Sequence, residues 1–291
     1  MRENKVVYGL IGYGGMGRWH TEILSNVPEA VIGGIYDIKE EKREEAKEKG
    51  FFVYETEEAM LADPDIDVVL IATPNDCHKP IAIRAMHAGK NVISEKPVTL
   101  SSADLLEMEN AAKETGKLLT VHQNRRWDDD FLIIKKLVEE QKLGHVFRIE
   151  SRVHGSRGIP GDWRKEKVHG GGMVLDWGVH LLDQILYMYG DRKIETVYAS
   201  LTNVTNQEVD DGFTAILTFE GGTEVLVEVG TNNYISLPRW YVLGEDGTAV
   251  IRDWQLNGEI IRKTGRTEET VVPVKTAAGL TKTMAPRRED T

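Results

Sequence analysis

The chain has 291 residues, enough to bury more than one core, and the usual domain size favours two domains. Its 36 basic and 47 acidic residues leave a net charge of −11, which argues against binding to nucleic acid or an anionic membrane and favours a small-molecule partner. A lone cysteine, Cys77, excludes an internal disulfide framework. No apolar run approaches the ~18 residues of a membrane span, and the stretch Met1 to Gly17 lacks the basic start and apolar core of a signal peptide, so the expected location is the cytoplasm.

The first part alternates short β-rich runs with helical stretches. Strands are expected at Val6 to Ile11, Val31 to Asp37, Val68 to Ala72, Val92 to Ser94 and Leu118 to His122. Charged Lys39 to Lys49 reads as a solvated helix stopped by Gly50, and another helix runs between caps at Ser101 and Gly116. Such alternation predicts an α/β domain with a doubly wound parallel sheet over residues 1–122. From residue 123 to 291 the pattern changes. A helix is expected near Phe131 to Glu140, then a glycine-rich segment with its own helix. Strands follow at Thr196 to Leu201, Phe213 to Phe219, Thr223 to Val229, Tyr241 to Leu243 and Ala249 to Arg252. Short loops between them favour antiparallel pairing, hence an α+β domain on an open, mainly antiparallel sheet. Its uncovered face would need burying against a second copy, so a homodimer or homotetramer is expected. The polar tail Lys282 to Thr291 reads as disordered.

Gly12, Gly14 and Gly17 form G-x-G-x-x-G directly after the first strand, with Gly15 and Met16 in the same turn. In that context the motif cradles a dinucleotide pyrophosphate at a helix N-terminus. Asp37, twenty residues beyond Gly17, suits the two adenosine ribose hydroxyls and repels a 2′-phosphate, which favours NAD over NADP. Thr73, Pro74 and Asn75 follow a strand at the ligand-facing end of the sheet. Asn75 reads either as a ribose contact or as a turn residue, and His78 either as a helix-end residue or as a ligand contact.

The run Gly170 to Asp183 places three glycines ahead of a helix. On α-helical spacing, Asp176, His180, Asp183 and Tyr187 share a stripe roughly 60° wide, while Leu175, Val179, Leu182, Ile185, Leu186 and Tyr189 form an apolar arc. The glycines let backbone approach a ligand or another chain segment.

Together, the glycine fingerprint, Ala88-Gly89-Lys90-Asn91-Val92 leading to Glu95-Lys96-Pro97, and the Gly170 to Asp183 run resemble the glucose-fructose oxidoreductase, inositol dehydrogenase and MocA family. The stretch His122 to Trp127 is similar to members acting on inositols and related sugars. The resemblance covers nearly the whole chain. It implies that Lys96, Asp176 and His180 carry catalysis and that the Lys96–Pro97 peptide is cis. Glu95 and Lys96, at the ligand-facing end of the sheet, are expected on the cofactor side, and Asn124, Trp163 and Arg164, just after the domain junction and just before the glycine triplet, are candidate contacts to the nicotinamide half or the substrate. The implied activity is transfer of a hydride between a ring hydroxyl of a sugar, inositol or sugar derivative and the nicotinamide. A redox-neutral use of NAD in glycoside cleavage or epimerisation is the alternative, and a non-catalytic sensor is a third.

Removing a hydride from a secondary alcohol requires a base near the hydroxyl, and an imidazole titrates in the right range, so His180 is the first assignment. Lys96 would then hydrogen-bond the reacting oxygen and Asp176 would orient substrate or imidazole. A Lys96 base is the competing assignment, since burial beside a cationic ring lowers an ammonium pKa. Asp183 reads as a supporting residue, and Trp163 equally as core packing. His122, His145, His154 and His169 read as structural or exposed, and their spacing gives no metal site. Arg152, Arg157, Arg164, Lys165 and Lys167 stand against only Asp162 and Glu166. That excess leads to the expectation that this segment borders the pocket, with Arg157 and Asn124 among the substrate contacts, and tolerates an acidic or phosphorylated sugar. Most family members continue for some tens of residues in a helical segment, so the sequence reads as truncated after Thr291.

Overall fold

Val6–Ile11 (β1) puts Val7 and Ile11 on one side of the strand and Leu10 on the other, and both sides are buried. A strand apolar on both faces belongs in the middle of a sheet covered by helices. The computed structural model, which describes residues 4–263, 271–276 and 279–284, places it there. After β1 come α1 (Gly15–Leu24), β2 (Ala30–Tyr36), α2 (Glu40–Glu48), α3 (Glu57–Ala62), β3 (Val68–Ile71), α4 (His78–His87), β4 (Asn91–Ser94), α5 (Ser102–Thr115) and β5 (Leu119–Val121). The sheet is parallel, in the order β2-β1-β3-β4-β5. Val69, Ile71 and Val92 join Val7 and Ile11 against Met60, Met86 and Met108 of α3, α4 and α5. Leu70 and Ile35 join Leu10 against Ala46 of α2 and Leu24 of α1 on the other face. The order reverses between β1 and β3, the place where open α/β sheets leave a crevice at their carboxyl ends.

The caps explain where α5 begins and ends. Ser101 Oγ accepts the Asp104 N–H at 3.1 Å, and Gly116 closes the helix at φ 66°. This first unit runs to Asn124 and also takes in Ile159–Val179 and Thr205–Asp210. Two segments from beyond the expected boundary at residue 122 thus return to it.

The second unit comprises Arg125–Gly158, His180–Val204 and the chain from Asp211 on. It contains α6 (Asp129–Glu139), β6 (Val146–His154), α7 (Val179–Tyr189) from His180 onward, β7 (Ile194–Thr202), β8 (Gly212–Phe219), β9 (Glu224–Gly230), β10 (Trp240–Gly244), β11 (Gly247–Ile251) and β12 (Gly258–Arg262). A hairpin of β13 (Val271–Thr276) and β14 (Gly279–Met284) follows. The seven-stranded order is β12-β11-β10-β6-β9-β8-β7, antiparallel except between β6 and β9. Lys282, expected in a disordered tail, lies in β14, while residues 285–291 fall outside the described residues.

One face of this sheet is apolar: Phe213, Ala215 and Leu217 oppose Val229, Val227 and Val225, which oppose Val153, Ser151 and Ile149. Asp130 of α6 accepts the Trp240 indole N–H at 2.8 Å and faces the Arg239 guanidinium at 3.1 Å. Tyr189 of α7 stacks on Phe219 with ring centroids 4.6 Å apart. The opposite face carries charges in register. Arg152 lies opposite Glu228 and Arg148 opposite Glu224, with Glu150 between the two arginines along β6. Among the described residues no helix is long and apolar enough to cross a membrane.

Candidate active site

The carboxyl ends of β1, β2, β3 and β4 border a cavity of about 760 Å³, in the size range of small-molecule sites. At its floor the chain leaves β1 through Gly12, whose φ of +96° and approach to Ala72 (a Cβ would stand 2.5 Å from its carbonyl oxygen) exclude other residues. A Cβ on Gly17 would lie 2.1 Å from the Gly12 carbonyl oxygen, so that glycine permits the close packing of α1 on the turn. Gly14 and Gly15 have nothing within 4 Å of an added Cβ and line the cavity with Met16. Open space over two glycines at the N-terminus of a helix with no acid in its first turn is a cradle that fits a pyrophosphate.

Asp37 closes the β2 side of the cavity. Its Oδ2 accepts the Tyr13 N–H at 2.7 Å and its Oδ1 the Lys39 N–H at 2.8 Å, which orient the carboxylate and leave lone pairs for ribose hydroxyls. Thr73, Pro74 and Asn75 line the β3 end, where Asn75 is buried and donates Nδ2 to the Gly170 carbonyl at 2.8 Å. His78 departs from its expected role as a cofactor contact. It is fully buried, with Nδ1 2.8 Å from the Pro97 carbonyl and Nε2 3.0 Å from that of Thr73, and it is not among the cavity's lining residues. Burial lowers its pKa, and a neutral ring donates to only one of these carbonyls. It fixes the two strand-end loops.

Lys96 follows β4, and the Lys96–Pro97 peptide is cis. Its ammonium donates to Asp176 Oδ1 at 2.9 Å and to the Asp176 carbonyl at 2.8 Å across 80 residues of sequence, and both residues line the cavity. Arg164 Nε stands 3.3 Å from the same carboxylate oxygen and Nη1 2.7 Å from Asp162. The guanidinium lies over the Trp163 ring at 4.7 Å. Burial alone would raise the Asp176 pKa, but the charges of Lys96 and Arg164 outweigh it and hold the carboxyl below its usual range. Glu95 is buried beside them: its Oε1 receives His20 Nε2 at 2.6 Å and His122 Nδ1 at 3.0 Å. Burial again opposes ionisation, and the two imidazole hydrogen bonds overcome it, bringing the Glu95 pKa to about 2.

The glycine triplet and its helix differ from the expected α-helical stripe. Gly170–Gly172 approach other chain segments, not an open space: a Cβ would meet Leu100 at 2.2 Å, the Arg164 carbonyl at 2.3 Å and Asp210 Oδ1 at 2.3 Å respectively. Asp210 accepts the Met173 and Val174 N–H groups at 2.9 Å each, starting the next turn. That turn, Val174–Gly178, is a π-helix, and α-helix begins only at Val179. The wider turn breaks the register on which the stripe depended. Asp176 therefore meets Lys96, whereas Asp183 forms a bidentate pair with Arg126 at 2.6 and 2.7 Å and Tyr187 lies under that guanidinium at 4.6 Å. The buried side of α7 is His180, Leu181, Gln184, Ile185, Met188 and Tyr189; Leu186, expected in the apolar arc, is exposed. Gln184 is fully buried with its amide in use, donating to the Arg125 carbonyl at 2.6 Å and accepting from Arg239 Nη2 at 3.3 Å.

The other expected site residues are dispersed. His180 is buried at the start of the second unit's part of α7. Asn124 opens a short 3-10 turn, is half-buried, and is not among the cavity's lining residues. Arg157 is exposed on the second unit. The basic excess from Arg152 to Lys167 also dissolves: Arg152 is held by Glu150 and Glu228, Arg164 by Asp162 and Asp176, and Lys165 and Lys167 are exposed away from the cavity lining. Sequence reading missed His20 and Asp162. The one signal for His20 was a polar side chain on the buried face of α1, three residues after Gly17.

The comparisons agree with this construction. Residues 6–123 match the model of an oxidoreductase family with an NAD-binding Rossmann fold, and residues 131–250 match the GFO/IDH/MocA C-terminal domain. The chain is 31% identical over 244 residues to scyllo-inositol 2-dehydrogenase (NADP(+)) IolW of Bacillus subtilis, covering 83% of this chain and 67% of that protein. It is 31% identical over 223 residues to myo-inositol 2-dehydrogenase of Thermotoga maritima, covering 74% of this chain and 65% of that one. Among solved structures, an NAD-binding protein from Listeria innocua superimposes with a TM-score of 0.93 at 53% identity, covering 97% of this chain and 81% of its own. The matched part spans from 45% to 67% of the length of such curated relatives. The chain belongs to the GFO/IDH/MocA family of oxidoreductases, with an NAD-binding Rossmann domain.

Proposed function

We propose that the chain catalyses reversible NAD-linked oxidation of a ring hydroxyl on a neutral sugar or cyclic polyol. The observation that carries this reading is the Lys96 ammonium held on Asp176 in the cavity that the glycine turn borders. Bound NAD supplies the hydride acceptor. Lys96 donates a hydrogen bond to the reacting oxygen and stabilises the negative charge that develops there, while Asp176 fixes the ammonium and orients the hydroxyl. His180 takes the hydroxyl proton, an assignment that rests on the family's motif and on the range in which an imidazole titrates.

Two cations, Lys96 and Arg164, meet two carboxylates, Asp162 and Asp176, along the cavity wall. This balance supports a neutral polyol over the acidic or phosphorylated sugar that the local sequence excess suggested. Asp37 supports NAD for this chain, although IolW is NADP(+)-linked by its name. Exposed Val197 and Leu201, which continue the apolar face beside Leu217 and Phe213 onto the edge strand β7, support burial of that edge against a second copy of the chain, which light scattering would test.

The testing experiment is a panel of inositols, aldoses and sugar phosphates offered with NAD and with NADP, followed by absorbance of the reduced nicotinamide. The expected result is reduction of NAD by one or more neutral polyols. Turnover confined to sugar phosphates, or to NADP, would refute it.

A further inference from the structure

The His20, Glu95 and His122 cluster has no part in the chemistry above. Its ligand-type atoms all lie within 4.8 Å of one another, the one such group of metal-ligand type among the described residues. The distances decide what holds it together. Ligands on one tetrahedral zinc, each about 2.0–2.2 Å from the ion, stand about 3.3 Å from one another. Here both imidazoles approach the same carboxylate oxygen, at 2.6 and 3.0 Å, which is the spacing of N–H donors on an acceptor.

The topology gives the cluster its position. β4 and β5 are parallel neighbours with Ser94 opposite Val121, so Glu95 and His122 each stand one residue past the paired ends. His20 comes from α1, and its ring packs edge-on against that of His122 with centroids 4.7 Å apart. The second carboxylate oxygen of Glu95 accepts the Lys96 backbone N–H at 3.2 Å, and the Glu95 N–H donates to Ile71 on β3 at 2.9 Å. The backbone that launches the Lys96 side chain is therefore tied to the sheet on one side and to the clamped carboxylate on the other.

We propose that Glu95 is a positioning residue for Lys96, and that His20 and His122 hold it by donating Nε2–H and Nδ1–H to one oxygen. This rests on the reading of Lys96 as the group that bonds the reacting oxygen. The clamp fixes the root of the lysine as Asp176 fixes its tip, and the ammonium reaches the hydroxyl without a search over rotamers. A displacement of order 1 Å in such a group costs about 100-fold in rate.

The test uses the difference between the two ring nitrogens. An Asn amide nitrogen lies near the place of Nδ1 and a Gln amide nitrogen near that of Nε2, so His122→Asn and His20→Gln keep the donors, whereas His122→Leu and His20→Leu remove them. With the full chain and NAD, the leucine variants are expected to lose about 10- to 100-fold in kcat with KM and NAD affinity within about threefold, and the amide variants to recover to within about threefold of the parent. Acetic anhydride labelling of the Lys96 amine, quantified by peptide mass spectrometry, needs no turnover. It should rise severalfold in the leucine variants and stay at the parent level in the amide ones. If labelling follows this pattern while no polyol is oxidised, the proposed activity fails and the clamp stands. Equal impairment of amide and leucine variants, labelling that does not respond, or a stoichiometric metal in the purified protein that His20→Leu removes would overturn the inference.

Discussion

Two sets of paired charges in this chain both join basic side chains to carboxylates and do different work. In the first unit, Lys96, Asp176, Arg164 and Asp162 converge on the wall of a cavity from three separate stretches of sequence. In the second, Arg148, Glu150, Arg152, Glu224 and Glu228 stand on one face of two parallel strands and neutralise one another across the register. The first set faces space that a ligand can enter; the second completes the open side of a sheet. Charge type and local charge excess do not separate the two. What separates them is where the topology ends a strand and where it continues one.

Substitutions should divide along that line. After loss of Lys96 itself, the largest effect is expected for Asp176→Ala, which releases the Lys96 ammonium: turnover of the proposed polyol substrate falls about 100- to 1,000-fold while NAD affinity, measured by fluorescence titration, is retained. A comparable loss of NAD affinity would place Asp176 in cofactor binding instead. Arg152→Leu should act on stability alone, because it removes one of the two guanidinium partners of Glu150 and leaves Glu228 only the imidazole of His154. A cost of about 3 kcal/mol is expected in denaturant unfolding, with unchanged kcat per folded molecule.

The pH dependence sharpens the same division within the first unit. The Glu95 carboxyl is depressed from 4.5 to about 2, so the stability it contributes is complete above about pH 4.5 and is lost as pH falls toward 2. Glu95→Gln should flatten the fall in melting temperature over that acid window. An unaltered slope would mean that the imidazole hydrogen bonds do not favour the ionised form. The smallest effect is expected for Arg157→Ala. That side chain is exposed, and both stability (within about 0.5 kcal/mol) and activity should be unchanged. A marked loss with any substrate would restore the basic segment as a substrate contact.

Much of the first unit was legible because its signals are local. Gly17 packs on the Gly12 carbonyl within the same turn, and Ser101 and Gly116 mark the two ends of one helix; in the second unit β8 and β9 follow from simple alternation. β6 was illegible for the opposite reason. Its outward residues are Arg148, Glu150 and Arg152, which resemble a solvated loop until Glu224 and Glu228 lie beside them on β9. The Gly170 to Asp183 run showed that backbone was crowded, but not that a π-turn would detach Asp176 from the α-helical face of Asp183. His20 and His122 are 102 positions apart in the chain and meet only on Glu95, a contact that no spacing encodes. The catalytic reading of Lys96 and Asp176 entered through family resemblance, and the fold supplies its physical basis in two hydrogen bonds from the ammonium at the end of β4.

Lys96 stands at the centre of the proposed chemistry, and the most direct test is NADH formation from a neutral polyol by Lys96→Met, compared with the parent at matched NAD occupancy. The expected result is a fall of about 1,000-fold or more with NAD affinity preserved. A Lys96→Met variant that oxidises the polyol at near-parent rates would contradict the account.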